Sequence, residues 1–500
     1  MATLKEKLEQ LEAAKHLLVA KHKEPDYLDI MDEISSPSKW AREWIKDSKQ
    51  KNGRLFRNHR PANASDIPIQ FYHRIFETFI NLYRIAKYQR GNVNLYLNWH
   101  LSCPVHFQMK TIGQMLSDAG SSYFLINEIE IRPEEANIGC QSSRTGERRT
   151  DGSIYPKIGR DRVLLVNLEV KPEPGTNGDS YIQNSAYYKE FVIKSRKEKS
   201  EFYNKTCLPA FLINLDGPYL SISGAVSVPF MVWDRLTDIF PLDMVTYDHT
   251  KADYIARILL ALKNSMDILR KYYTSVRESR EISTEPLQDN RWFPCINKID
   301  LEEGTATIKY KERHSIYRSL WIVEIQAKNM QEKGLVKYTQ KYFKEAHDMC
   351  FKLGLAPKLW AINNLQQRWH IVFMEYLEEY QPLHTYDSEL FFQTKNIVKN
   401  AMKLFHDSGY VHGDLRDENI MIKCENGKID IKFVDFDWAG REGEAKYPES
   451  LNPTINWHPD AGWHKLIKKE HDHHLVDNIY LNIKPDKSSK KQRRLSEWMN

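Results

Sequence analysis

The segment GYVHGDLRDENIMIKCENGKIDIKFVDFDWAG, residues 409–440, constrains the fold of this chain more than any other. IMIK and IDIKFVDF are β-rich runs on either side of ENGK, a turn signal, so this part of the chain folds as a hairpin. A hairpin brings its two open ends to one edge. Asn419 stands just before the first run and Asp435 near the end of the second, and Asp414 lies five residues ahead of Asn419. Three polar side chains are thereby gathered beside a short sheet, with a helix over Thr394 to His406 leading in.

The chain has 500 residues, enough for two or three domains at roughly 100 to 200 residues each. Hydrophobic residues make up 41% and charged residues 28%, which excludes a disordered or collagen-like chain. With a net charge of only +5, contact with nucleic acid has to come from local patches. One such patch is the tail 484–500, where Lys484, Lys487, Lys490, Lys491, Arg493 and Arg494 face only Asp486 and Glu497. It reads either as a nuclear-import or nucleic-acid tail or as a solvated terminus.

Six scattered cysteines without a C-x-x-C fit core thiols in a reducing compartment. The opening MATLKEKLEQLEAAK has no apolar core, so no conventional signal peptide is expected. The most apolar stretch, Phe211 to Trp233, is interrupted by Asp216, Gly217, Pro218 and Gly224, so no membrane partner is expected.

The expected layout is an N-terminal helix and linker over 1–64, an α/β domain over 65–240, a helical spacer over 241–290, a second domain over 291–483 and the basic tail. In the first domain a helix from Asp66 to about Lys87 buries Phe71, Ile75, Phe79 and Tyr83. Strands follow at Tyr123 to Ile131, Arg162 to Val170, Pro209 to Leu215 and Tyr219 to Val228. The Asp216-Gly217-Pro218 turn joins the last two, and a helix from Asp179 to Arg196 lies between the second and third.

Asp151 beside a turn, and Glu169 with Lys171 on the strand LLVNLEVK, form the first chemical constellation. Strand periodicity puts Glu169 and Lys171 on one face. Two carboxylates on neighbouring strands can ligate Mg²⁺ or Mn²⁺, and an adjacent lysine can orient an attacking water, a combination that fits phosphodiester hydrolysis. Gln183 and Tyr187 share a face of the next helix. The order D, E-x-K, Q-x-x-x-Y resembles the PD-(D/E)XK restriction-endonuclease-like superfamily. The resemblance implies a mixed-sheet core, Asp151 and Glu169 as metal ligands, double-stranded DNA as partner, and an added acid on the first helix, for which Glu77 is the candidate. An exposed surface acid is the other reading of Glu77.

HGDLRDEN and DFD resemble the catalytic loop and metal motif of the protein-kinase-like superfamily. That resemblance implies a bilobal domain using ATP and Mg²⁺, with Asp414 as acceptor of a substrate hydroxyl proton and Asn419 and Asp435 as metal ligands. Lys337 and Glu345 are then the ion pair that clasps ATP, and the run through Glu375 is the hinge beside adenine. His412 is expected to pack the loop. Ordinary packing is the alternative for Lys337, Glu345 and Glu375. No G-x-G-x-x-G precedes Lys337 and no A-P-E follows Asp435.

The two units together, with GLAPKLW at 354–360, resemble Crinkler-type nuclease and kinase effectors and related fungal kinase-like proteins. The resemblance implies a bifunctional, toxin-like enzyme: a DNA endonuclease and a protein-kinase-type phosphotransferase with a protein substrate, acting in the nucleus of a host cell. The alternative is an active kinase-like protein whose first domain is a non-catalytic binding module. His458, His464, His471, His473 and His474 near the end read either as a metal cluster or as His-rich turns.

Overall fold

A computed structural model describes residues 67–85, 152–175, 178–198, 200–228, 231–242, 249–278, 293–302, 304–315, 319–327, 330–386, 388–449 and 451–481. Asp151, the expected strand at Tyr123 to Ile131, the N-terminal helix and linker, Lys199 and the basic tail lie outside the described residues. The chain is a mixed α/β protein that divides into two compact units, with the boundary between Cys295 and Ile296.

In the first unit, helix α1 spans Arg74–Ile85. Strands β1 (Gly152–Ile154), β2 (Lys157–Ile158), β3 (Asp161–Arg162) and β4 (Val166–Lys171) follow, then helix α2 (Ser180–Lys197). Strands β5 (Ala210–Asp216), β6 (Tyr219–Ser227), β7 (Met231–Arg235) and β8 (Phe240–Pro241) precede the long helix α3 (His249–Glu278). The main sheet has the order β1-β4-β5-β6-β7, with β8 also on β6. Only the β4–β5 pair is parallel, which requires a crossover, and α2 supplies it. Asp216 pairs with Tyr219 across the tight turn, as the Asp-Gly-Pro signal requires.

Helix α2 starts where Asp179 caps it, its carboxylate accepting from the Ile182 N–H at 3.0 Å. The Ser180 hydroxyl ties this end to Asp216 at 2.6 Å. Along β4, residues 167, 169 and 171 face α2: the Asn167 amide donates to Asn184 Oδ1 at 2.8 Å. Val166 lies in register with Phe211, whose ring meets Phe76 and Phe79 of α1 at 5.4 Å each, so α1 covers the opposite face. The expected stripe Phe71, Ile75, Phe79 and Tyr83 is buried, although the regular helix begins only at Arg74, after a 3₁₀ turn at Ile69–Phe71.

The segment expected as a helical spacer is instead part of this unit. Helix α3 packs along α1 and buries Ile255, Ile258, Leu262, Leu269 and Tyr273. The Tyr273 hydroxyl donates to the Pro209 carbonyl at 2.8 Å, and Arg277 pairs with Asp161 of the β2–β3 hairpin. An amphipathic helix with this much covered apolar surface belongs to a core.

The second unit contains a six-stranded antiparallel sheet of β9 (Lys298–Leu301), β10 (Gly304–Ser315), β11 (Leu320–Ala327), β12 (Met330–Thr339), β13 (Leu359–Asn364) and β14 (His370–Glu375). Its order is β13-β14-β12-β11-β10-β9. Helix α4 (Lys344–Lys352) interrupts the chain between β12 and β13. Beyond β15 (Gln381–Pro382), helix α5 (Ser388–Asp407) leads through β16 (Tyr410–Val411) to the hairpin of β17 (Ile420–Glu425) and β18 (Lys428–Phe433). Then come β19 (Gly440–Arg441) and helix α6 (Lys469–Leu481).

The β17–β18 hairpin is closed by Asn426 and Gly427, both at positive φ (51° and 75°), the conformation that an Asn-Gly turn supplies. A second core gathers Phe391, Val398, Met402 and Phe405 of α5 with Ile420, Ile422, Phe433 and Phe436 around the hairpin. Among the described residues no helix is long and apolar enough to cross a membrane.

Candidate active site

In the second unit the hairpin brings its two ends together as expected: the Val434 N–H donates to the Asn419 carbonyl at 3.0 Å. The Asp414 carboxylate is gripped from two sides. Arg416 donates from Nε to Oδ1 at 2.6 Å and from Nη2 to Oδ2 at 3.0 Å, and Asn419 Nδ2 donates to Oδ2 at 2.9 Å. Burial pushes the Asp414 carboxyl up; Arg416 pulls it down and the Asp435 charge adds to the rise, leaving it above the ordinary carboxylate range. A carboxylate held in one orientation with raised basicity is suited to take a proton.

Asn419 spends its amide nitrogen on Asp414, while its Oδ1 is buried without a hydrogen-bond partner. A buried carbonyl oxygen left in this way is a ready cation ligand. Asp435, beyond the facing strand, has φ 74°, a left-handed backbone that a non-glycine residue adopts at some energetic cost and that concentrates at functional sites. The side-chain oxygens of Asn419 and Asp435 are the kind of donor that suits a hard ion such as Mg²⁺.

Lys337 lies on β12 as expected, but its partner is not Glu345. The Lys337 ammonium contacts Asp435 Oδ1 and Asp437 Oδ1 at 2.6 Å each, and the Thr339 hydroxyl donates to Asp437 Oδ2 at 2.9 Å. Burial pulls the Lys337 ammonium down, and the two carboxylates overcome it, so the net shift is upward. Glu345 is exposed in the first turn of α4, a helix whose inward face is Ala346, His347 and Cys350. With the helix presenting apolar side chains and His347 inward, the acid that a lysine on β12 needs comes from the DFD segment instead.

Phe436, between the two acids, is fully buried and stacks on His347 at 4.6 Å. His347 Nε2–H donates to the Pro357 carbonyl at 2.8 Å, so Nδ1 accepts from the Tyr342 hydroxyl at 2.6 Å. Burial keeps this ring neutral, with its pKa lowered to about 4.

His412 packs the loop. Its Nδ1 accepts from the Asp414 N–H at 3.3 Å, so Nε2–H donates to the Val434 carbonyl at 3.2 Å. Glu375, at the expected hinge, is engaged with Lys358 at both ends: its carboxylate accepts from the Lys358 N–H at 2.9 Å and its own N–H donates to the Lys358 carbonyl at 2.9 Å.

Three contributors escaped the sequence reading. Arg416 and Asp437 each stand two residues beyond a motif acid, a spacing that places them on the same edge. Asp472 of α6 is fully buried and accepts from the His412 N–H and the Gly413 N–H at 2.8 Å each and from His406 Nε2 at 3.0 Å. It is a positioning residue for the loop.

In the first unit Glu169 and Lys171 do meet: Nζ lies 2.5 Å from Oε1, on the α2 face of β4, with the Glu169 side chain buried. Beneath them Ser153, Asn167, Asn184, Asn214 and Ser223 form a buried hydrogen-bonded chain across the sheet, which the sequence did not announce. Gln183 and Tyr187 are buried on α2, with the Gln183 amide against Gly178. Glu77 is not brought to Glu169: it sits half-buried on α1, on the opposite face, with Cys295 as an electrostatic neighbour. Arg196, in the last turn of α2, donates to the Tyr203 and Thr206 carbonyls.

No protein-family model matches the chain. Among solved structures it is similar to the PK-1 kinase of Cydia pomonella granulovirus, with 14% identity over 39% of this chain and 74% of that one and a TM-score of 0.29. It is also similar to vaccinia related kinase 3, with 13% identity over 37% of this chain and 66% of that one and a TM-score of 0.30.

Proposed function

We propose that the second unit transfers the terminal phosphoryl group of ATP to a hydroxyl of a protein substrate. The observation that carries this is the grip on Asp414 by Arg416 and Asn419, with the free Asn419 oxygen at the hairpin end that leads to Asp435. In this reading Asp414 accepts the proton of the attacking hydroxyl and Arg416 holds the carboxylate in line. Lys337 meets the nucleotide phosphates. Asn419 and Asp435 would hold Mg²⁺, which when bound neutralises charge on the phosphates. Incubation with Mg²⁺ and γ-labelled ATP is expected to label the protein itself. A wild type that neither labels nor binds ATP with Mg²⁺ would make the unit a regulatory scaffold.

Asp437 takes the place expected of Glu345 as the acid that holds Lys337. Burial raises its carboxyl to about 6 against the pull of Lys337. The folded-state value lies above the ordinary 3.8, so this group contributes stability fully below about 3.8 and loses it as pH rises through about 6. Its charge at neutral pH therefore serves something other than stability. Phosphotransfer is expected to show an acid limb with a component near pH 6. Asp437→Asn should remove that component and lower kcat/KM at pH 7.5 about tenfold, equivalent to about 1.4 kcal/mol. A pH–rate profile that D437N leaves in place refutes this role.

A second activity is proposed for the first unit, favoured by the Glu169–Lys171 contact on a strand of a mixed sheet flanked by helices. In this restriction-endonuclease-like reading Glu169, with Asp151 assigned from sequence alone, would hold Mg²⁺ or Mn²⁺, and Lys171 would orient water for cleavage of double-stranded DNA. Glu169→Ala and Lys171→Ala are each expected to abolish plasmid cleavage while ATP binding persists in the other unit. Cleavage that survives both substitutions makes this unit a non-catalytic binding module.

The combination supports an effector-like protein acting in the nucleus. Truncation after Ile483 is expected to reduce nuclear accumulation of a tagged chain without changing either activity in vitro.

A further inference from the structure

Between β19 and α6 the described part of residues 442–468 has no helix and only one isolated bridge, Lys446 to Leu466. So long a connection with so little regular structure needs other ties. Its own core is small, with Val411, Ala445, Tyr447 and Ile467 buried under Trp438 and Trp457.

At this place two histidines and an aspartate converge. His458 and Asp460 come from one turn, closed by the Ala461 N–H donating to the His458 carbonyl at 2.8 Å, with Pro459 at the second position, where its fixed φ is favoured. His471 comes from the first turn of α6. One ligand atom from each of the three lies within 4.8 Å of the others. The His458 and His471 rings are nearly parallel, 27° between planes, with centroids 4.8 Å apart.

His471 is 1% exposed. Its Nδ1 accepts from the Lys468 N–H at 3.4 Å and lies 3.1 Å from the Tyr447 hydroxyl, whereas its Nε2 is buried with no hydrogen-bond partner. Ligation at Nε2 would displace its proton and place the imidazole hydrogen on Nδ1, where the Tyr447 oxygen can accept it, an outer-shell hydrogen bond of the kind that orients a metal-bound imidazole. Asp460 is exposed, and Lys468 approaches its carboxylate only at 3.5 Å. Ligands on one tetrahedral ion sit about 3.4 Å apart, a small closure for a surface turn.

We propose that His458, Asp460 and His471 bind one divalent transition-metal ion of the zinc class, which pins the 458–461 turn to α6. Two imidazoles and one carboxylate suit zinc, cobalt or nickel better than magnesium or calcium, and a water completes four-coordination. Asp472, the next residue on α6, holds the loop that carries Asp414, so the ion would brace that loop from outside the active site.

The test uses the full chain, stripped with a chelator and titrated with Co²⁺ in excess Mg²⁺, so that hard-oxygen sites stay occupied. One equivalent of Co²⁺ should give the intense visible absorption of tetrahedral coordination and raise the melting temperature. His458→Ala and Asp460→Ala, both on the surface turn, should weaken uptake at least about tenfold while keeping the far-ultraviolet circular dichroism and ATP binding of the wild type. Absence of tetrahedral absorption in the wild type, or its persistence in both variants, overturns the proposal.

Discussion

Asp414→Asn is expected to lower phosphotransfer by roughly 10²- to 10⁴-fold while leaving Mg²⁺-dependent ATP binding unchanged. The substitution keeps the side-chain shape while one of the two oxygens that accept from Arg416 becomes an NH₂ group, so a proton acceptor and one Arg416 contact are removed together. Because burial lifts the Asp414 carboxyl, wild-type activity should fall as pH drops through that raised value. Arg416 keeps Glu418 as a partner at 3.3 Å in the variant, which limits the disturbance. Rapid-quench measurement of a single turnover, alongside calorimetric ATP binding, checks both halves. Turnover within a few-fold of wild type would show that the hydroxyl loses its proton elsewhere.

Asp472→Ala is expected to destabilise the second unit by about 3 to 5 kcal/mol, the usual range when one partner of a buried charged cluster is removed. Two backbone N–H groups and one imidazole lose their acceptor in a buried region. Burial pushes the Asp472 carboxyl up, but His406, His412 and the backbone donor bring it below its ordinary 3.8. The sign is therefore opposite to that of Asp437: this contribution is present above pH 3.8 and fades as pH falls through the depressed value. Asp472→Asn, which keeps one acceptor oxygen, should fall between. Denaturant unfolding that places D472A within about 0.5 kcal/mol of wild type, the range of neutral surface changes, would refute the role.

The hairpin at Asn419 to Asp435 was legible because strand alternation and an Asn-Gly turn are local signals, and pairing the strands fixes where their ends meet. The partner of Lys337 was not. Glu345 and Asp437 are equally acidic in a string of letters, and only the packing of α4, with Ala346 and Cys350 inward, decides between them. Asp472 was invisible for a different reason: two of its three partners are backbone N–H groups, which no residue code records, and the third, His406, lies 66 residues away. Helix α3 read as a spacer because an amphipathic pattern shows which face is apolar but not what covers it; α1 supplies the answer. Glu169 and Lys171 were readable from period-two spacing, whereas the Asn167–Asn184–Asn214 chain beneath them depends on contacts 17 and 30 residues apart.

Gly413 stands directly before Asp414 with φ +80°, and a β-carbon built there would lie 2.7 Å from Ile467 Cδ1. Position 413 is therefore held for glycine by its left-handed backbone, and the basic side chain that this loop sets against Asp414 is Arg416, three residues further on. A smaller residue at 467 would give a β-carbon space without relieving that backbone, so the two positions are not free to trade one change for the other.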